Sequence, residues 1–186
     1  IYQTSGNVLV ETMTSTSAQV TGGGSTTITI NPINDLQANV AHYVLISNRA
    51  FKDTANNYFA GIVTSTIWYF TTVDTVPPTL SSASTNATGN QIVLTMSENI
   101  SATLAATSAF AVLADSIVDT VTAVSASTNK VTLTLARNIN PGQSVTIAYT
   151  DPTGGNDTNA LQDTTGNDAA TWSATAVTNV VIAKVT

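Results

Sequence analysis

The chain has 186 residues and a net charge of −6; only 9% of its residues are charged, whereas 42% are hydrophobic. An ordinary soluble domain has roughly 25% charged residues, so this surface must be built from hydroxyls and amides, and 69 of the 186 residues are Thr, Ser or Asn. Only five residues are Lys or Arg, which excludes a nucleic-acid partner, and no apolar run approaches the ~20 residues of a membrane span.

The first half of the chain carries short alternating patterns. Ile28 and Ile30 alternate with threonines, which predicts a strand with one buried and one solvent-facing side. His42 is expected at a polar position where a strand begins. Because the chain has no cysteine, thiol catalysis, thiolate zinc sites and disulfides are excluded. His42 is the single histidine, which makes a multi-histidine metal site or a histidine-based catalytic triad implausible.

Three consecutive aromatic residues mark the last strand of the first half. Alternation is expected to send Trp68 and Phe70 into the core together and to leave Tyr69 outside. Core packing is the favoured interpretation of this cluster. The alternative is a carbohydrate-binding surface, since an exposed aromatic ring can stack on a sugar.

The segment of residues 74–79 is the clearest boundary in the chain. Pro77 and Pro78 stiffen the backbone and cannot donate ladder hydrogen bonds, so we interpret them, with Asp74, as a semi-rigid hinge between domains. The predicted domains are residues 1–75 and residues 76–186. A loop inside one sandwich is the alternative.

The second half reads as many short strands separated by turns. Residues 92–96, 131–135 and 145–149 alternate with period two, and Gly, Pro and Asn cluster between them. Many short strands at regular spacing predict an all-β antiparallel sandwich. Residues 101–108 are the one stretch that suggests a helix, at most a short turn, and residues 177–186 predict a last strand.

An internal repeat supports two domains. Residues 161–170 parallel residues 51–60, and upstream segments also match at an offset of slightly more than a hundred residues. Residues 79–99 have no counterpart in the first half. The first domain is therefore expected to lack its opening strands, which leaves an unpaired edge and apolar faces.

Residues 1–75 resemble the C-terminal part of a bacterial Ig-like repeat, on the stretches 26–32, 50–53 and 68–72. Residues 77–186 resemble the repeat of cyanobacterial swimming-motility surface proteins and giant adhesins, on 77–80, 96–98, 145–149 and 161–167. The resemblance implies two tandem Ig-like sandwiches in a non-catalytic, extracellular, structural or adhesive module at a bacterial cell surface. The alternative function is a carbohydrate-binding accessory module of a secreted enzyme.

The turn that begins at Asp163 is the most informative local signal. An Asp that opens a turn caps backbone amides, and Gly166 suits a left-handed φ; in the first repeat Asn56 takes that place. We favour a plain structural turn, so that no cofactor is required. The alternative is a calcium site with oxygen ligands from Asp163, Asn167, Asp168, Asp151 and Asp157.

Catalysis has little support in the sequence. Glu98 follows a predicted strand, but nothing in the sequence nominates the second carboxylate that a two-carboxylate enzyme needs. We therefore expect Glu98 to make local hydrogen bonds and the chain not to be an enzyme.

The expected partners are neighbouring repeats or identical subunits, with surface glycans as an alternative. Residues 181–185 are predicted to extend beyond the second domain. Val181, Ile182 and Val185 would then form an assembly strand that fills the incomplete sheet of the next subunit, head to tail.

Overall fold

The computed structural model describes residues 1–183 and divides into two units, Ile1–Thr75 and a second that begins at Val76. Both units are built from antiparallel strands. The described residues contain only two 3₁₀ turns, Ser5–Asn7 and Thr107–Ala109, and no helix of the length and hydrophobicity that crosses a membrane. The all-β prediction is confirmed, and the suspected helix at 101–108 is reduced to the second 3₁₀ turn.

The second unit contains the longer strands. In chain order they are β7 (Leu80–Thr85), β8 (Gln91–Met96), β9 (Phe110–Ala114), β10 (Ile117–Asp119), β11 (Val121–Ser127), β12 (Lys130–Leu135), β13 (Val145–Tyr149) and β14 (Trp172–Val177). They form two four-stranded sheets, in the orders β10-β9-β13-β14 and β11-β12-β8-β7.

One apolar core joins the two sheets of the second unit. The alternating residues of β8, β12 and β13 all turn inward: Ile92, Leu94, Met96, Val131, Leu133, Leu135, Val145, Ile147 and Tyr149 are buried. Threonines occupy many of the positions between them, where the β-branched side chain suits the extended backbone. The alternation predicted from these three segments is confirmed, and the arrangement is sandwich-like.

The last described segment differs from the prediction. The sequence predicts a strand over residues 177–186. For the described residues of this range the prediction is wrong, because β14 ends at Val177. The chain then leaves that sheet: Thr178 forms a single parallel bridge with Ser84 of β7, and its N–H donates to the carbonyl of Ala83 at 2.9 Å. Residue 178 thus ties one sheet to the edge of the other and ends the ladder of β14.

The first unit has shorter strands: β1 (Tyr2–Gln3), β2 (Val8–Leu9), β3 (Val20–Thr21), β4 (Thr29–Ile30), β5 (Ala41–Tyr43) and β6 (Tyr69–Thr71). One sheet has the order β2-β1-β5-β6, and β3 pairs with β4 in a separate two-stranded sheet. The first sheet has the same order as the β10-β9-β13-β14 sheet of the second unit. In each, the first strand of the opening hairpin also pairs with a strand that follows two intervening strands of another sheet, β5 in the first unit and β13 in the second.

The core of the first unit is small. Its buried residues include Tyr43, Val44 and His42, and the His42 ring stacks on Phe70 with centroids 5.7 Å apart. The expectation that His42 lies at a polar strand start is wrong: it is the middle residue of β5 and only 1% exposed, with Nδ1 2.8 Å from the carbonyl oxygen of Val40. His42 is buried because its ring packs against the neighbouring strand β6. The residues adjacent to His42 in the sequence did not indicate this burial.

Candidate functional site

Asp163 opens a tight turn in which its carboxylate holds the backbone. Oδ1 accepts hydrogen bonds from the N–H groups of Thr165 (2.7 Å) and Asn167 (2.9 Å), and Oδ2 accepts one from Asn167 Nδ2 at 2.7 Å. The residue is 2% exposed. Burial by itself raises the pKa of this carboxyl, but the hydrogen bonds from Asn167 and Thr165 outweigh burial and lower the pKa. The charged carboxylate is therefore a structural cap of its own turn.

The first unit repeats this turn almost bond for bond. Asp53 Oδ1 accepts from the N–H groups of Ala55 and Asn57, both at 2.8 Å, and Oδ2 accepts from Asn57 Nδ2 at 2.9 Å. Hydrogen bonds from Asn57 lower the pKa of the Asp53 carboxyl as well. The internal repeat seen in the sequence thus corresponds to one shared backbone motif, buried in the second unit and exposed in the first.

The conformation expected for the fourth residue of each turn is confirmed. Gly166 has φ of +94° and Asn56 has φ of +68°, which lies in the left-handed region that Gly adopts freely and Asn tolerates. The substitution of Asn for Gly between the repeats therefore preserves the turn.

The other predicted calcium ligands have separate partners. Asp168 accepts from Gln162 Nε2 (2.7 Å) and from the N–H of Asp157 (2.9 Å), while the carboxylate of Asp157 accepts from Thr153 and the N–H of Asn159. Asp151 Oδ1 lies 3.4 Å from the N–H of Thr153. Within residues 1–183, no three of the four acids 151, 157, 163 and 168 lie within 4.8 Å of one another. Calcium binding stays a prediction.

Glu98 lies beside Asp163, an arrangement that the sequence did not suggest. Their nearest carboxylate oxygens are within 4.8 Å, because Asp163 pairs with Ile100 in an antiparallel bridge two residues beyond Glu98. The pair lies near the separation of retaining glycosidase carboxylates. Neither residue lines the two clefts described next, and Asp163 already caps its turn, so the geometry resembles a structural cluster more than a catalytic pair.

An apolar cleft of about 860 Å³ lies in the first unit. It is lined by side chains of β4 and of the Asp53 turn, with Trp68 at one side; its apolar lining residues are Ile28, Ile30, Ile46, Phe51, Tyr58, Phe59 and Trp68. A second cleft of about 520 Å³ shares Ile30, Ile46 and Phe51 with it. The first unit therefore has apolar side chains that its own residues do not cover.

The aromatic cluster of the first unit only partly follows the prediction. Tyr69 is 70% exposed, as the alternation predicts for its outward position. Trp68, in contrast, is 39% exposed and lines the large cleft, so the expectation that it is a core residue is wrong. The strand β6 begins only at Tyr69, so Trp68 lies outside the regular alternation of that strand. A glycan-binding role for Tyr69 stays a prediction.

The predicted hinge and assembly residues lie as follows. Asp74 Oδ2 accepts a hydrogen bond from Asn39 Nδ2 at 2.7 Å, while Pro77 is exposed and Pro78 buried. Val181 packs partly against the core of its own unit and Ile182 is 74% exposed. Val185 lies outside the described residues. The packing of Val181 weighs against its being free to join another subunit, and strand donation by this tail stays a prediction.

Comparison with known proteins places the second unit near one family of repeats. Residues 73–154, a little under half of the chain, match a family described as a putative flagellar system-associated repeat; the match includes β7 to β13. Among solved structures, the N-terminal part of the bacterial S-layer protein SbsC matches with a TM-score of 0.46 and 18% identity, over 56% of this chain and 24% of that chain. No curated protein matches the chain.

Proposed function

We propose that the chain is a non-catalytic structural module of a bacterial surface protein, which spaces, attaches or assembles larger structures outside the cell. The similarity of residues 73–154 to a flagellar system-associated repeat supports this role. The proposal includes an Ig-like fold for both units and an extracellular location.

The observation that carries the proposal is the repeated aspartate turn. Asp53 and Asp163 bind the same set of donors in their own turns, the N–H groups two and four residues on and the amide side chain four residues on. In each unit this acid supports the backbone and leaves little capacity for chemistry on a substrate. A motif kept for conformation in successive units is typical of repeat proteins, in which each unit serves mainly to present and space the next.

The composition of the surface fits assembly with similar surfaces. With only 9% charged residues, bringing two such surfaces together removes few ionic groups from water, and desolvation of charge is the largest polar cost of association. Ile33, Val63 and Val73 of the first unit are each more than 70% exposed, so apolar side chains form part of that surface.

Surface labelling in the native organism tests the proposal. Antibodies raised against the chain should label intact cells, and mild protease treatment of intact cells should remove the signal while a cytoplasmic marker stays intact. Antigen that is found only after lysis, protected from protease on intact cells, would refute a surface role.

A second candidate is a carbohydrate-binding accessory module, and the exposed ring of Tyr69 favours it. Screening on a glycan array separates the two functions. A sugar ligand whose binding is lost in Tyr69→Ala but retained in Tyr58→Ala, another exposed tyrosine, would support this second function. No binding of any glycan would contradict it.

A further inference from the structure

The two units differ at one edge of one sheet. In the second unit, β12 pairs with β11 on one side and with β8 on the other. In the first unit, β4 pairs with β3 in the same antiparallel way, but within residues 1–183 it has no strand on its other side. Since the remaining sheets of the two units have the same strand order, the position corresponding to β8 is the one left open.

The backbone of β4 is oriented to accept a further strand. The N–H of Asn31 donates to the carbonyl of Gln19 at 2.8 Å, on the β3 side. In an antiparallel pair, successive residues direct their N–H and C=O groups to opposite sides. Ile30 therefore directs its N–H and C=O away from β3, toward the open edge, and unpaired edges of this kind readily pair with another chain.

The side chains beneath this edge show what kind of strand would fit. In the second unit, Val131 and Leu133 of β12 are 0% exposed and share a core with Ile92 and Leu94 of the neighbouring strand β8. In the first unit, Ile30 of β4 and Ile28, just before that strand, line the 860 Å³ cleft instead, and Ile28 is 36% exposed. What the first unit lacks is the row of aliphatic side chains that β8 supplies to the second.

The charges of the cleft are already engaged within the first unit. Lys52 and Asp53 are the only charged residues that line it. Lys52 Nζ donates to Asn56 Oδ1 at 3.0 Å, and the Asp53 carboxylate accepts from the N–H of Ala55 and from Asn57. An occupant would therefore gain from burial of apolar surface and backbone pairing, and little from opposite charge.

We propose that the edge of β4 and the cleft beside it form a docking site for an antiparallel β-strand whose alternate residues are aliphatic, as in β8. The partner is thus a protein segment of stated chemistry: uncharged, extended, with branched aliphatic residues at every second position. This inference deepens the proposed function, because it names how a structural module of this kind joins its neighbour, and its geometric basis is independent of where the protein is located.

The test uses a peptide with the sequence of residues 79–98, the β7–β8 segment, added to the ¹⁵N-labelled chain. Saturable NMR shifts are expected for the amides of β4 and for the indole N–H of Trp68. A control peptide with threonine in place of Ile92 and Leu94 has the same length and the same backbone hydrogen-bonding groups, and it should not bind, since it cannot fill the cleft with aliphatic side chains.

Two neighbouring substitutions provide matched controls in the protein. Ile28→Lys places a charge in the cleft and should weaken binding by at least about tenfold, since burying an ammonium group costs more than 1.4 kcal/mol. Thr29→Lys changes the next residue of β4, which does not line the cleft, and should bind as the wild type. Ile28→Thr is a milder variant that keeps the β-branched shape and should weaken binding in part.

Two outcomes would overturn the inference. If the peptide of residues 79–98 does not bind, or binds the Ile28→Lys variant equally well, the cleft is not a strand-docking site of this chemistry. If the chain instead forms dimers that exclude the peptide and that disappear when residues 182–186 are removed, the occupant is the tail of a second copy. Failure of surface labelling would refute the proposed function alone, since the binding experiment does not depend on location.

Discussion

Replacement of Asp163 by alanine should lower the free energy of unfolding of the second unit far more than Asp53→Ala lowers that of the first unit. The substitution removes the acceptor of the buried Asn167 N–H and one acceptor of Asn167 Nδ2, which also donates to Thr165 Oγ1 at 3.0 Å. A buried donor that loses its acceptor costs about 1–3 kcal/mol. One buried donor without an acceptor, together with the lost bonds from Asn167 Nδ2 and from the N–H of the exposed Thr165, implies a loss of about 3 kcal/mol in the free energy of unfolding.

The loss should be measurable as a change in melting temperature. For a unit of about this size, 1 kcal/mol corresponds to roughly 4 °C, so the expected decrease is about 12 °C. Urea denaturation followed by fluorescence of Trp172, which packs against Tyr149 in the second unit, reports on the relevant transition. The matched control is Asp53→Ala: its turn is exposed, so water replaces the lost carboxylate and the effect should be much smaller.

The pH dependence of the stability provides a second readout of the same carboxylate. Because its hydrogen bonds lower the pKa of Asp163 below the ordinary value of 3.8, its stabilising contribution is fully present above pH 3.8 and is lost as the pH falls through the lowered pKa. The difference in unfolding free energy between the wild type and Asp163→Asn should therefore be constant near neutral pH and should shrink in strong acid.

The same variants distinguish a structural turn from a calcium site. If Asp163 only caps its turn, the difference in melting temperature between the wild type and Asp163→Ala should be the same in excess calcium as in a chelator. A calcium-dependent rise in the melting temperature that is lost in Asp163→Ala would instead support calcium binding. If Asp163→Ala destabilises the protein no more than Asp53→Ala does, the argument from buried donors is refuted.

Two further changes in the second unit test its packing. Tyr149→Phe should cost about 1–2 kcal/mol in urea denaturation, because the buried phenol oxygen accepts the N–H of Leu161 at 2.8 Å, and an unchanged midpoint would contradict this role. Gly89→Ala should cost more than about 2 kcal/mol, since Gly89 has φ of +76° and a Cβ there would lie 2.1 Å from the carbonyl oxygen of Ile139. Gly142→Ala, with φ of +80° and open space around it, should lose only about 1 kcal/mol in the same assay, so equal losses for the two glycine variants would refute the clash.

Local patterns were sufficient for the strands and the turns. Residues 92–96, 131–135 and 145–149 form strands with their alternate side chains buried, because the period of two follows from the geometry of the extended backbone. The Asp163 turn was equally predictable, since its hydrogen bonds join residues no more than four positions apart and its left-handed residue needs Gly or Asn.

The misplaced residues share a cause: their environment is set by distant segments. Trp68 and Ile28 belong to apolar alternating patterns, yet both line an open cleft of the first unit. His42 reads as polar but is enclosed by its pairing with β6. The strand predicted after Val177 does not form, because Thr178 bonds instead to β7, more than ninety residues earlier in the chain.

The sequence by itself determined that this chain is built from short antiparallel strands, that an aspartate turn recurs in its two halves, and that few of its residues are charged. These properties depend on composition and on neighbours a few residues apart. Only the tertiary structure decided that Glu98 lies beside Asp163 and that β4 keeps an open edge above an apolar cleft. Both depend on which strands pair across the fold, and strand pairing is fixed by the burial of side chains that are far apart in the chain.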